Sequence, residues 1–260
     1  MNFVETYLYG LLLVWALMTL LWCISVAKKD AGIADIFWGA GFVILAGYYL
    51  IMTSPLEVRS LMVFCLAFVW GIRLSVHIFL RNRGKGEDYR YKQFRERYGK
   101  DSYWWISYFQ VFMLQGLLMW LVSAPLLGAM ANSRNSSLNL LDLAALLTWA
   151  IGFAFEAGGD YQLARFKSDP SNQGKLLTTG FWKYTRHPNY FGDAAAWWGF
   201  GLFAVASGSY GTPLGSVLMT LLLIKVSGVA MLERSLRDTK PGYGEYVRKT
   251  NAFIPWFPRQ

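Results

Sequence analysis

Charge is what this sequence has least of. Only 16% of its 260 residues are Asp, Glu, Lys or Arg, against about 25% in an ordinary soluble domain. A surface of that kind cannot keep a chain in water. Cysteine is nearly absent too: Cys23 and Cys65 each lie inside an apolar run, which excludes a disulfide scaffold. Two histidines, His77 and His187, exclude a multi-histidine metal centre, and no metal site is expected. Acid is the scarcer sign of charge, with 16 Asp and Glu against 25 Lys and Arg, for a net charge of +9.

In place of charge there is apolar length. Hydrophobic residues make up 55% of the chain and aromatics 17%. Seven segments approach the roughly 20 residues that a bilayer crossing needs: residues 7–27, 33–52, 61–80, 108–131, 138–159, 190–207 and 213–232. The expected fold is an all-α integral membrane protein of seven transmembrane helices, a single polytopic domain over residues 1–260. Glu5 precedes the first segment and no small-residue cleavage site follows it, so it reads as a retained helix and not a signal peptide. With seven crossings, 21 of the 25 basic residues fall on one side of the membrane. The positive-inside rule then places the N-terminus outside and the C-terminus in the cytoplasm. The inner membrane of a bacterium is the expected location, with the bilayer as partner and the chain acting as a monomer. Nucleic acid is not an expected partner, because the basic residues flank spans and no binding module accompanies them.

Ionisable groups inside spans cost about 2.5–3.5 kcal/mol each on insertion scales, so each needs a partner or a purpose. They are Asp35, Arg73, His77, Glu156, Asp160, Asp193, Lys225 and Glu233, most of them near the cytoplasmic ends of their spans. Arg73 and His77 are four residues apart and share a helix face, as do Glu156 and Asp160. Buried ion pairs would explain such placement, and so would the wall of a polar pocket.

The most specific stretch runs from Gly180 to Asp193 and contains Tyr184, Arg186-His187-Pro188-Asn189-Tyr190 and Gly192-Asp193. Pro188 suits the first turn of a helix. Asn189 and Asp193 follow one turn apart, at a helix start whose free N–H groups suit an anion such as phosphate.

This stretch resembles the membrane steroid 5α-reductase family in its bacterial branch, and the related sterol C=C reductases and isoprenylcysteine carboxyl methyltransferases. The resemblance extends to Asp35-Ile36-Phe37-Trp38, Trp70-Gly71-Ile72-Arg73-Leu74, Arg81-Asn82-Arg83-Gly84, Glu87-Asp88-Tyr89-Arg90-Tyr91, Gln115-Gly116 and Glu245-Tyr246 with Ile254-Pro255-Trp256. It implies an oxidoreductase acting on CH–CH groups, using NADPH held among the ends of the last helices. Asn189, Asp193 and Asp160 match cofactor ligands of the family, and Glu156 stands where the family often has Asn. Arg83, Arg165, Lys167, Lys175, Arg186 and His187 would meet phosphates or border them, with Tyr184, Glu233 and Tyr246 completing the implied cofactor set. The lack of a Gly-x-Gly-x-x-Gly stretch accords with a helical fold that has no βαβ unit to carry one.

The implied chemistry is hydride transfer to the β-carbon of an enone while an acid supports the carbonyl oxygen. The expected catalytic set is Asp35, Trp70, Arg73 and His77. Steroid reductases grip the oxygen with a Gln-Glu pair and a Tyr. Here those positions read Ala34-Asp35 and Trp70, a departure that leaves Asp35, if protonated by desolvation, as the expected donor. The resemblance implies a 3-oxo-Δ4-steroid or a similar lipid enone as substrate, and the departure makes the reaction class firmer than the steroid. Two rivals remain open: an isoprenylcysteine-type methyltransferase using S-adenosylmethionine, and a non-catalytic lipid-binding protein. The methyltransferases usually carry a Glu-Glu pair after the last span, where this chain reads Leu232-Glu233-Arg234.

Overall fold

A computed structural model describes residues 2–259 except 54–55, 132–136, 227–228, 230–232, 234–235 and 237–239. Every regular element among the described residues is helical. Five helices are long and apolar enough to cross a membrane: Phe3–Lys28 (α1), Ile33–Met52 (α2), Val58–Asn82 (α3), Asp101–Ala131 and Leu140–Ser168 (α8). The fourth of these is a composite, formed by Lys100–Ser107 (α5), a π-helical turn at Tyr108–Met113, Leu114–Val122 (α6) and Ala124–Ala131 (α7). The sixth expected span appears as Pro188–Ala206 (α9), 19 residues long but less apolar than the five. Of the seventh, Leu214–Leu221 (α10) and a π-turn at Leu222–Val226 are described, and much of the remainder lies outside the described residues. Two short helices were not expected from the apolar pattern: Tyr89–Tyr98 (α4) and Tyr243–Lys249 (α11).

The chain divides into two compact units, residues 1–138 with 204–212, and residues 139–203 with 213–260. In the first, α1 starts on a capping box: the Asn2 side chain accepts from Glu5 N–H at 2.8 Å, and Glu5 accepts from Asn2 N–H at 3.1 Å. The left-handed residue Lys29 (φ 54°) ends it. α2 and α3 cross backbone to backbone, because a Cβ on Gly39 would lie 2.2 Å from the Gly71 carbonyl oxygen. Small residues at such crossings let membrane helices approach closely, where packing and not hydrophobicity must hold them.

The second unit repeats the device. Asn139 and Asp142 form the capping box of α8. A Cβ on Gly152 would sit 2.4 Å from the Ala196 nitrogen, and one on Gly192 would sit 2.3 Å from the Glu156 nitrogen. These contacts seat the first turns of α9 against the second half of α8. Backbone cannot yield as a flexible side chain can, so Gly192→Ala should cost about 1–3 kcal/mol of stability by overpacking. A lowered thermal midpoint in detergent or nanodiscs checks this, and an unchanged midpoint would contradict the crossing.

Candidate functional site

Both units hold buried polar side chains. In the first, a polar cluster forms around Asp35, in the opening turn of α2, where the helix dipole favours a carboxylate. Asp35 Oδ1 accepts from the Tyr91 hydroxyl at 2.7 Å and from Gln115 Nε2 at 3.2 Å, while Oδ2 accepts from Arg90 Nη2 at 2.7 Å. Gln115 Nε2 also lies 3.2 Å from the Tyr91 oxygen. Its Oε1 is buried with no hydrogen-bond partner among the described residues, an acceptor that a ligand hydroxyl or a water could satisfy. The π-turn at Tyr108–Met113 inserts one extra residue per turn just before Gln115. That re-phases the helix, and such insertions recur at functional sites.

The helix α4 presents Arg90 and Tyr91. Asp88 caps it by accepting from Arg90 N–H at 3.0 Å, and pairs with Arg90 Nε at 3.0 Å. Burial opposes the Arg90 charge, but Asp88 and Asp35 more than offset it and hold its pKa above the ordinary value. The Tyr91 pKa is raised, first by burial and then by the negative charge of Asp35. Tyr91 therefore keeps its proton and Arg90 its charge. Both Asp35 oxygens accept hydrogen bonds here, and the Tyr91 hydroxyl stands beside the residue that the sequence marks as the expected donor.

The other expected catalytic residues lie differently. Trp70 is fully buried and meets Phe42 edge-on, with centroids 5.7 Å apart. Arg73 and His77 are half-buried along α3, and Arg83 is exposed at its end. Sequence reasoning left out Arg90, Tyr91 and Gln115 as functional residues, although their motifs were visible.

The second cluster lies where α8 and α9 cross. Glu156 and Asp160 are buried on α8, and Asp193 is buried one turn into α9. Asn189 Nδ2 donates to Asp160 Oδ1 at 3.0 Å. Carboxylates joined by an amide suit hydroxyl and carboxamide groups and not phosphates. The exposed cations Arg165, Lys167 and Lys175, from the end of α8 and the loop after it, supply the opposite chemistry. A dinucleotide needs both kinds of partner, so the donor set fits one.

Arg186 and His187 are buried and employed internally. Arg186 donates to Glu233 Oε1 from Nε at 2.8 Å and from Nη2 at 2.5 Å, and from Nη1 to the carbonyls of Val247 (3.3 Å) and Thr250. His187 Nε2 lies 3.4 Å from the same Glu233 oxygen. The Tyr246 hydroxyl donates to the Trp182 carbonyl, and Tyr184 is partly exposed. Arg186 and Tyr246 thus bind the C-terminal segment to the loop before α9.

Glu233 lies just beyond the seventh expected span. Burial alone would raise its pKa, but hydrogen bonds from His187 and Arg186 and the Arg186 charge hold it at about 2. A carboxyl depressed on folding gives stability that is present above its ordinary value of 4.5 and is lost as pH falls toward about 2. Wild type should therefore melt above Glu233→Gln at neutral pH, and the gap should close across that window. A gap independent of pH would contradict the ion pair.

A protein helical throughout its described residues and suited to a bilayer, with buried polar side chains in both units, is the class that these features define. Within that class, residues 21–250 match the family described as "Protein of unknown function (DUF1295)", and the chain belongs to that family. It is 26% identical over 286 residues to a Schizosaccharomyces pombe protein named "Uncharacterized protein C594.04c", covering 98% of this chain and 83% of that protein. It is also 30% identical over 119 residues to the Delta(14)-sterol reductase erg24 of Schizosaccharomyces pombe, covering 40% of this chain and 26% of that protein. A Delta(14)-sterol reductase of Ascobolus immersus is 30% identical over 136 residues, covering 46% of this chain and 30% of that protein. This chain thus spans less than a third of the length of either sterol reductase. No solved structure matches it.

Proposed function

We propose that this protein is an NADPH-dependent membrane reductase of an activated lipid C=C bond, in a steroid-like or other lipid enone. It crosses the membrane seven times as a monomer, N-terminus outside, with its active site toward the cytoplasm. The observation that carries the reading is the Tyr91–Asp35 hydrogen bond of 2.7 Å, braced by Arg90 and Gln115. A phenol whose proton is held beside an ion-paired carboxylate is built to support charge growing on a substrate oxygen. Partial similarity to two sterol reductases supports the same reaction class.

The cofactor, when bound, supplies the hydride. Asn189, Asp160, Glu156 and Asp193 would hold its hydroxyl and amide groups, and Arg165, Lys167 and Lys175 would meet its phosphates. A substrate oxygen that reaches Tyr91 Oη takes over the hydrogen bond made to Asp35 Oδ1. Arg90 and Gln115 keep Asp35 in place meanwhile, as the partner to which the phenol returns.

A methyltransferase remains the second reading because it shares the Arg186-His187-Pro188 motif. Methyl transfer from S-adenosylmethionine gives the Tyr91–Asp35 pair no oxyanion to support. Purified protein titrated with NADPH and with S-adenosylmethionine separates the two readings: we expect binding of the first only. Binding of the methyl donor alone would reject the reductase. Asn189→Ala removes the amide that lies against Asp160 at 3.0 Å and that, on this reading, meets the cofactor, a contact worth about 1.5–3 kcal/mol where it includes a charged group. Its NADPH affinity should fall about ten- to a hundredfold; unchanged affinity would move the cofactor elsewhere.

A further inference from the structure

The C-terminal tail holds three large apolar side chains in the open: Ile254 and Trp256 are each 66% exposed and Phe257 is 74% exposed. They are not on a loose end. Trp256 N–H donates to the Tyr184 carbonyl at 2.9 Å, Thr185 Oγ1 to the Phe253 carbonyl at 2.9 Å, and Arg186 N–H to the Asn251 carbonyl at 2.9 Å. The Phe257 ring lies 6.0 Å from Tyr184 and 6.5 Å from Trp256, forming one aromatic face. The backbone is thus held in a shape that turns this face outward.

Cations lie on the same segments. Lys183 Nζ is 6.0 Å from the Tyr184 ring, and Arg259 N–H donates to the Lys249 carbonyl at 2.8 Å. Arg248, Lys249 and Arg259 are exposed, and Glu245, the one acid between residues 243 and 259, pairs with Lys249 at 2.8 Å, so the segment keeps a net positive charge. An aromatic face accompanied by Lys and Arg matches the acyl boundary beneath an anionic headgroup layer. The loop that grips the tail leads directly into α9, so the face lies beside the first turn of that helix.

We propose that this face is seated in the headgroup layer of a bilayer that contains anionic lipid. The lipid surface is its occupant. The loop from Trp182 to His187 holds both the tail and the first turn of α9, so seating also steadies Asn189. That consequence rests on the dinucleotide reading of the second unit; the seating does not.

The test uses the full chain with Cys23→Ser and Cys65→Ser, carrying a nitroxide at Phe257→Cys or, as a control, at the exposed Gly244→Cys. It is reconstituted in vesicles of phosphatidylcholine with or without phosphatidylglycerol. With phosphatidylglycerol, oxygen should relax the label at 257 several-fold more than a water-soluble nickel chelate does, and the order should reverse at 244. Omitting phosphatidylglycerol, or combining Lys183→Gln, Lys249→Gln and Arg259→Gln, should shrink the contrast at 257. A label at 257 as open to nickel as that at 244 would overturn the proposal. So would protection from both reagents that grows with protein density, which would mean a second copy covers the face. NADPH affinity, measured separately in the two vesicle types, should be higher with phosphatidylglycerol. Equal affinities would reject the coupling and leave the label result to decide the seating.

Discussion

Tyr91→Phe should lower turnover about 10²–10⁴-fold, the usual contribution of a positioned proton donor, while NADPH binding persists. The size of the kinetic effect against the structural one is what makes this variant informative. Tyr91 is buried, with 5% of its surface exposed, and Phe keeps the ring that fills the space. Asp35 would not be orphaned, because Gln115 still donates to Oδ1 and Arg90 to Oδ2. The stability cost is therefore that of one hydrogen bond, about 1 kcal/mol. A loss of 10²–10⁴ in rate corresponds to about 3–5 kcal/mol in the barrier, well beyond the structural cost. Single-turnover oxidation of bound NADPH with a lipid enone provides the measurement. Asp35→Asn should also slow turnover with cofactor affinity retained, since an amide pairs poorly with Arg90 and no longer accepts at both oxygens. Wild-type rates in Tyr91→Phe would remove the phenol from the reaction.

The reason that Asp35 was legible in the sequence and Tyr91 was not is physical. A carboxylate at the start of an apolar run is costly, and the cost announces itself. Tyr91 is a neutral aromatic in the basic stretch 81–107, where aromatics ordinarily mark a membrane interface. Its significance comes from a contact with a residue 56 positions away. Gln115 is hidden in a similar way, because its direction depends on a π-turn that no 3.6-residue periodicity reveals. Trp70, marked by its place in a family motif, meets the Phe42 ring inside the first unit. In the second unit, the carboxylates four residues apart and the motif at 186–193 fall on two helices that cross. Asn189 and Asp160 do meet. The spacing could not show that Arg186, read as a neighbour of phosphate, has its guanidinium occupied by a carboxylate 47 residues on.

That occupation sets the second large effect. Arg186 is 7% exposed, and all three of its nitrogens donate, two of them to Glu233. Removing one member of a buried pair strands the other charge, at a cost of about 3–5 kcal/mol. Arg186→Met should therefore lower the thermal midpoint sharply and release the C-terminal segment to proteolysis after Val247 or Lys249. Were Arg186 instead a phosphate ligand, the same variant would melt like wild type and lose NADPH affinity alone. Arg186→Lys should rescue little, since one ammonium cannot reproduce the fork that reaches Glu233, Val247 and Thr250 together. Pairing Arg186→Met with Glu233→Gln removes the stranded charge, so the double variant should be more stable than Arg186→Met by itself. Additive losses would show that the two side chains act independently, and the loop before α9 would need another anchor.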